Sequence, residues 1–599
     1  SKFSFSIDTS TMVGESLCAI KVKYWNDIHD MEDESNFSKL EDKIIHIASL
    51  KESSNAKTMF NIVRNNLITE DLQANFIGLT HDNADALSSE KNGLVGLLRK
   101  EIPQFFYDLP DPSHCLSLTV KYSLKSLPEN IIKFIDDVHY YFSFPQRKAL
   151  LKRVQEMDEL NFNKTPLVLK KYASTRWMSL GDSLERLLEI WHYLKNYMDV
   201  IIEKKKSEDI KKIVRFYCLL NNNIFKLKIR LLEYVINQIN RLHKKLQNQE
   251  FNIGCLKTEI KLCFESIFKL VCLPEKFETP FKEVIELDWE DASTQSQWFS
   301  KDQFLIQNLQ NKVHKDFGYL KTTCSKIKES FVNICYQYLG KLFNQMKKYL
   351  PFNDEILETS SFIELKDKLP ILEDKLTFFN RTFNVISENE LKYQAFPQLL
   401  RLRDYGFDNF QKGENDSSLD IWKRIEKTGK YPSLVKFFKI SQILPVSSSN
   451  VEQAFSVIKL FKTNQRNSLS NHSLEGLLLL HQKYSECEKV QLPSNVEQLY
   501  LKLKEEMNNE KSKRYQSKRL YSTKQAEEQV SQEEEKKEEQ LPQRLKKIKL
   551  DKQEVTKINI QTGPMMIESE KETSVKNQIE EESIVEESEI CKHEDELRR

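Results

Sequence analysis

Glycine and proline are scarce in this 599-residue chain, at 13 and 16 residues, which excludes collagen-like and other fibrous classes. No apolar run approaches the ~20 residues that a membrane-spanning helix needs, so no membrane contact is expected. An excess of one charge is also missing. Lys and Arg number 90 against 89 Asp and Glu, so any nucleic-acid-binding surface has to be local. The ten cysteines include no Cys-x-x-Cys pair. Cys255, Cys263 and Cys272 lie in a helical-looking stretch and read as reduced, mostly buried thiols rather than a metal site, which points to a reducing, intracellular compartment. No secretory leader opens the chain, and a start at Ser1 rather than Met leads us to expect a longer natural protein. One core does not suffice at this length; about three or four structural units are expected.

Leu, Lys, Glu, Ile and Asn are abundant, which favours helix over most of the length. Residues 1–125 differ. Phe3, Phe5 and Ile7 alternate with polar residues, so a strand is expected that ends at Asp8. Strands over 17–25 and 43–50 follow, joined by an acidic loop at 27–41. Then come a helix over 57–67, a strand over 74–80 ending at His81-Asp82-Asn83, a helix over 87–100, a short strand over 105–108 and a helix over 114–124. This order predicts one α/β layered unit. Residues 126–435 show helical spacing, as in Leu184, Leu187, Leu188, Trp191, Leu194 and Met198, with polar loops expected near 288–297 and 408–418. Residues 436–503 turn compactly apolar again. Residues 504–599 are rich in Lys, Glu, Gln and Ser, with no aromatic after Tyr521, and are expected to form a disordered charged tail. Its short basic clusters at 511–519 and 544–549 suit nuclear import or phosphate contacts.

The hydroxyl-rich turn Ser447-Ser448-Ser449 leads into an amphipathic segment. Ser449 or Asn450 is expected to cap a helix whose buried stripe is Val451, Ala454, Phe455 and Ile458 and whose first turn carries Glu452. Asp8 and Asp82 each fall near the end of a strand, where functional groups of α/β sheets gather. Carboxylates suit Mg²⁺ or Mn²⁺, because these hard cations prefer oxygen ligands and keep positions open for water and phosphate. Two such ions can assist phosphodiester cleavage.

Asp8 in Phe-Ser-Ile-Asp-Thr-Ser-Thr resembles the first-acid strand of the hAT (hobo/Ac/Tam3-like) transposases. Thr80-His81-Asp82-Asn83-Ala84, followed by Lys91-Asn92-Gly93, resembles their second-acid motif. Thr175-Arg176-Trp177-Met178-Ser179-Leu180 is similar to their Arg-Trp motif. Ser448 to Ser456 with Arg466, Leu469 and Leu477 to Leu480 is similar to their C-terminal dimerisation region. The resemblance implies an RNase H-like catalytic core interrupted by a large helical insertion, and Mg²⁺-dependent DNA cleavage and strand transfer at transposon ends. It implies Asp8, Asp82 and Glu452 as catalytic metal ligands, and DNA contacts by Arg176, Trp177, His114 and Arg466. Trp177 would stack near a flipped or flanking base. It further implies a homo-oligomer held through Phe455, Leu474, Leu477 and Leu478, acting in the nucleus.

Two positions depart from the family pattern. Asp111-Pro112-Ser113-His114 stands where Cys-x-x-His is usual, and Gln453 follows Glu452 where an Arg is usual. The zinc-binding BED-type finger that normally precedes the core does not appear before Ser1. The second reading is therefore a catalytically inactive, domesticated relative serving as a nuclear, dimeric DNA- or protein-binding factor.

Overall fold

Alternation of Phe3, Phe5 and Ile7 with Ser4 and Ser6 builds β1 (Phe3–Met12), the central strand of a five-stranded sheet. The others are β2 (Glu15–Asn26), β3 (Lys39–Ser49), β4 (Phe76–His81) and β5 (Tyr107–Pro110), in the order β3-β2-β1-β4-β5. β1, β2 and β3 run antiparallel, whereas β4 and β5 continue from β1 in parallel. The first strand does not stop at Asp8. Its ladder with β4 ends at Ile7 opposite His81, while its ladder with β2 goes on to Met12. Asp8 thus lies where β1 loses one neighbour and keeps the other.

The computed structural model describes residues 1–484 apart from 13, 27–38, 51–54, 103, 129, 158–164, 172–177, 204–209, 249–250, 301, 412–415 and 464–468. Arg176, Trp177, Arg466, most of the acidic loop and the charged tail lie outside the described residues. Residues Ser1–Lys483 make one unit by their contacts.

The period of two separates two cores on the sheet. Phe3, Phe5, Ile7, Cys18 and Ile20 face α1 (Ala56–Asn66) and α2 (Leu94–Glu101). Met12, Leu17, Ala19, Ile44 and Ile47 face the opposite way. The helix expected over 87–100 divides into Asp85–Ser88 and α2. Beyond β5, α3 (Pro112–Ser123) has Pro at its start, where the missing N–H costs nothing.

From Asn130 to Ile443 the described residues form helices and turns, with one isolated bridge between Cys272 and Phe299. The longest are α4 (Asn223–Leu246), α5 (Ile253–Val271) and α6 (Ser325–Tyr349). Asn222 and Asn252 cap α4 and α5 by accepting backbone N–H groups of Phe225 and Cys255. The polar stretch at 288–297 is not all loop, since Asp291 caps a helix over Ala292–Trp298. One continuous core joins Tyr107 and Leu109 of β5 and Leu116 and Val120 of α3 to these helices, so the helical region is packed onto the sheet rather than tethered to it. The cysteines among the described residues are free, with Cys263 and Cys272 buried. Among the described residues no helix is long and apolar enough to cross a membrane.

The chain returns to the sheet through α7 (Pro432–Ile443), α8 (Ser449–Phe461) and α9 (Asn471–Tyr484). Its approach at Pro445 is close. A Cβ at Gly78 on β4 would meet Pro445 Cδ at 2.8 Å, so this strand position suits glycine. Val451, Ala454, Phe455 and Ile458 of α8 and Leu474 and Leu478 of α9 cover the second face of the sheet. The buried Lys462 pairs with Glu15 on β2 and fixes the far end of α8. Glu475 of α9 accepts the Ile47 N–H at 2.7 Å and meets His46 Nδ1 at 2.9 Å, occupying part of the edge that β3 would otherwise offer to another strand.

Candidate active site

The strands set the geometry. Ile7 and His81 are the last partners across the β1–β4 ladder, so Asp8 and Asp82 are the residues that follow that pair on the two chains. Asp8 shares its face of β1 with Ser4 and Ser6, and α8 packs across β1 and β2 on that face. Glu452 sits on the first turn of α8. Burial pushes the Asp8 carboxyl up to about 7, against the Thr9 N–H, which favours the charged form. The charges of Asp82, Glu452 and Asp111 add to the rise. Two candidates from β1 and the end of β4, a third from α8 several hundred residues on, and a fourth carboxylate therefore lie close enough for the other three to act on Asp8.

They do not close around a point. Asp8 Oδ1 accepts from Thr9 N at 2.7 Å, and Asp82 Oδ1 accepts from Ala84 N at 2.9 Å. Among the described residues no group of three or more His, Cys, Asp or Glu side chains is placed to hold a metal ion. The donor set itself, hard carboxylate oxygens with a backbone bond to one oxygen of each Asp, fits a divalent cation such as Mg²⁺ or Mn²⁺ in kind.

Asp111 organises this end of the molecule. It is 0 % exposed and follows β5 as the cap of α3, its N–H donating to His81 O at 2.8 Å. Its carboxylate receives Ser113 N at 2.8 Å and Ser447 Oγ at 3.2 Å on one oxygen. Ser448 N at 3.2 Å and the Ser448 hydroxyl donate to the other. Asp111 is thus a clasp between α3 and the turn that starts α8. It also explains a difference at the start of α8. The helix begins at Ser449, so Ser448 is the cap residue, and its side chain makes no capping bond because the hydroxyl is given to Asp111 instead.

Several neighbours were not singled out from the sequence. His81 is buried and shares 2.8 Å with Asp108; burial opposes its charged form, but the bond and charge of Asp108 prevail and raise its pKa. Asn83 donates to Cys115 Sγ at 3.1 Å, tying the loop after Asp82 to α3. His243, near the end of α4, feels the charge of Asp111, and its Nδ1 is buried without a hydrogen-bond partner among the described residues. The pair Asp-Pro at a helix start was a legible cap signal for Asp111. Nothing local could link His243, more than a hundred residues on, to the same place. His114 lies on the first turn of α3, partly exposed.

Residues 402–484 match the hAT family C-terminal dimerisation region. The match supports hAT family membership. It spans the helix Ser418–Lys427 and all of α7, α8 and α9, and it supports homo-oligomerisation. No curated protein matches the chain. Within the hAT dimerisation region, Phe455, Leu474 and Leu478 are buried in the protomer's own core and Leu477 is half-buried. Among the described residues of α8 and α9, the large apolar side chains left exposed are Leu460, Leu479 and Leu480, at 70 %, 48 % and 55 %.

Proposed function

We propose that the chain is a hAT transposase-like protein that cleaves and joins DNA at element ends, with its five-stranded sheet as an RNase H-like core. The observation that carries this reading is that Asp82, at the end of β4, and Glu452, on α8, lie near enough to Asp8 of β1 for their charges to act on it. The three would hold Mg²⁺ or Mn²⁺ once Asp8 and Asp82 turn from their backbone donors. A bound ion would polarise the phosphodiester and the attacking water. The protein's own part is to fix the acids on rigid elements, with Asp111 setting the start of α8. Arg176, Trp177, His114 and Arg466 are proposed DNA contacts, and the nucleus is the proposed site of action.

The test is a nicking assay on labelled DNA with and without Mg²⁺ or Mn²⁺. Wild type is expected to give metal-dependent product, and Asp8→Asn and Glu452→Gln to give none above background. Product from either variant at the wild-type rate would refute the assignment. Absence of product from folded wild type that still retains DNA would favour the second reading, a non-catalytic binding factor. Gln453, where the family usually has Arg, is the feature that favours that alternative.

We further propose that a second copy of the chain covers Leu460, Leu479 and Leu480. Replacing Leu479 and Leu480 together by Glu is expected to weaken self-association at least about tenfold, read as a fall from dimer to monomer mass in light scattering. Leu478→Glu is expected to unfold the region instead, since that side chain is 1 % exposed and a buried charge has no partner there. A folded double variant that keeps the wild-type mass would place the dimer elsewhere.

A further inference from the structure

Away from the carboxylates, α3 packs along α6, and their C-terminal ends wall an open cleft of about 570 Å³. Tyr122 of α3 and Tyr349 of α6 stack across the seam, with centroids 5.8 Å apart and planes at 13°. Lysines stand over both rings. Lys125 Nζ lies 4.9 Å and Lys121 Nζ 5.9 Å from the Tyr122 centroid, and Lys348 Nζ lies 5.1 Å from that of Tyr349. The one carboxylate lining the cleft, Glu290, is already engaged by Lys341 at 2.9 Å and by Asn344. Lys121, Lys125 and Lys348 are exposed and have no carboxylate partner among the described residues.

An aromatic face attracts an ammonium and steadies its long stem, while the N–H groups turned from the ring stay open to an anion. The cations stand on two walls of an open cleft rather than converging on one point. That spacing suits a run of phosphates better than a single small anion. Position adds to this. Asp111 caps α3 beside the acids, the helix ends at the cleft, and its 12 residues span about 18 Å. At about 3.4 Å per step, that equals roughly five base pairs of duplex.

We propose that the α3–α6 cleft binds the phosphate backbone of duplex DNA a few base pairs from the bond that the acids address. The proposal rests on the reading that the chain acts on DNA, and it adds a surface outside the acids, the Arg-Trp motif and the dimerisation region.

The test is fluorescence anisotropy of the full chain with a labelled 30-base-pair duplex of mixed sequence, titrated across NaCl. Lys125→Gln with Lys348→Gln is expected to weaken binding about tenfold and to lower the slope of log affinity against log salt by about 2. The control, Lys315→Gln with Lys326→Gln, removes the same charge from exposed positions and is expected to change neither. If wild type binds and the cleft variant keeps its affinity and slope, or falls no further than the control, the proposal is overturned while DNA binding stands. If folded wild type does not bind the duplex at all, the DNA reading fails and takes the proposal with it.

Discussion

Asp111→Ala is expected to lower stability by about 3–5 kcal/mol, the largest loss among single substitutions at the candidate site. Four donors meet its two oxygens: Ser113 N, Ser447 Oγ, Ser448 N and Ser448 Oγ. A buried donor left without an acceptor costs ~1–3 kcal/mol, and loss of a helix cap adds ~1 kcal/mol. The two serine hydroxyls can rotate to other acceptors, which is why the sum stays below the simple total. Asp111→Asn keeps the shape and one acceptor oxygen, so a smaller loss of about 1–2 kcal/mol is expected. Asp111→Cys, the residue usual in the family, is expected to cost nearly as much as Ala, because a thiol is a weak acceptor. Denaturant midpoints give the stabilities. Amide exchange at 448–452 gives the local effect, since α8 should lose protection at its first turn before the sheet does. An alanine variant with the wild-type midpoint and an unchanged first turn would show that the clasp does not hold α8.

Asp8→Asn is expected to act in the opposite direction and to stabilise the protein at neutral pH by about 4 kcal/mol. The rise from 3.8 to about 7 is about three tenfold changes in proton affinity, each worth ~1.4 kcal/mol. The Asp8 carboxyl titrates near 7 in the folded chain, against an ordinary value of 3.8. Below about pH 4 the acid is protonated in both folded and unfolded chains, and the substitution should gain little. As pH rises from about 4 to about 7, the unfolded chain releases the proton while the folded one retains it, so folding is progressively penalised. Above 7 both chains are ionised and the penalty stays constant. Asparagine carries no charge to desolvate and still offers an oxygen to Thr9 N. Melting curves of both proteins between pH 4 and 8 test this. The gap should open across that window and level off above it. Mg²⁺ adds a second arm. If Asp8 helps hold a cation, millimolar Mg²⁺ should raise the melting temperature of wild type at pH 8 and leave Asp8→Asn unmoved. A gap that is already full at pH 4 would mean that the gain comes from packing rather than from charge.

The contrast between these two carboxylates follows from their surroundings. Asp111 is wrapped by donors that belong to the fold, so its removal orphans them. Asp8 has one backbone donor and three acidic neighbours, so folding brings it into an environment that disfavours its charge. A residue that weakens the fold while facing other acids is the pattern expected of a group kept for binding or chemistry.

Much of the architecture was legible because it depends on local period and composition. Alternation in Phe3, Phe5 and Ile7 placed β1, helical spacing placed α1 and the helices Met178–Glu189 and Trp191–Glu203, and the stripe Val451, Ala454, Phe455 and Ile458 correctly marked the buried side of α8. The motif residues Asp8, Asp82 and Glu452 could be named from their local contexts, although only the sheet register puts the first two on adjacent strands.

Long-range packing decided the rest. β1 runs past Asp8 because β2 continues as its partner after β4 has ended, and no local pattern encodes the length of a neighbour. The helix expected over 87–100 breaks because the chain folds back on itself there: a Cβ at Gly96 would stand 2.2 Å from Glu90 O, so packing, not propensity, sets the start of α2. Ser448 gives its hydroxyl to a carboxylate 337 residues away in sequence rather than to its own helix. The leucines of α9 divide between core and surface according to which side meets β2 and β3, which a helix that is apolar on several sides does not reveal. Order along the chain was enough to say which residues share a face and which acids belong to a motif. Which of them meet was settled only by the fold, because hydrogen bonds and charges act through distance in space.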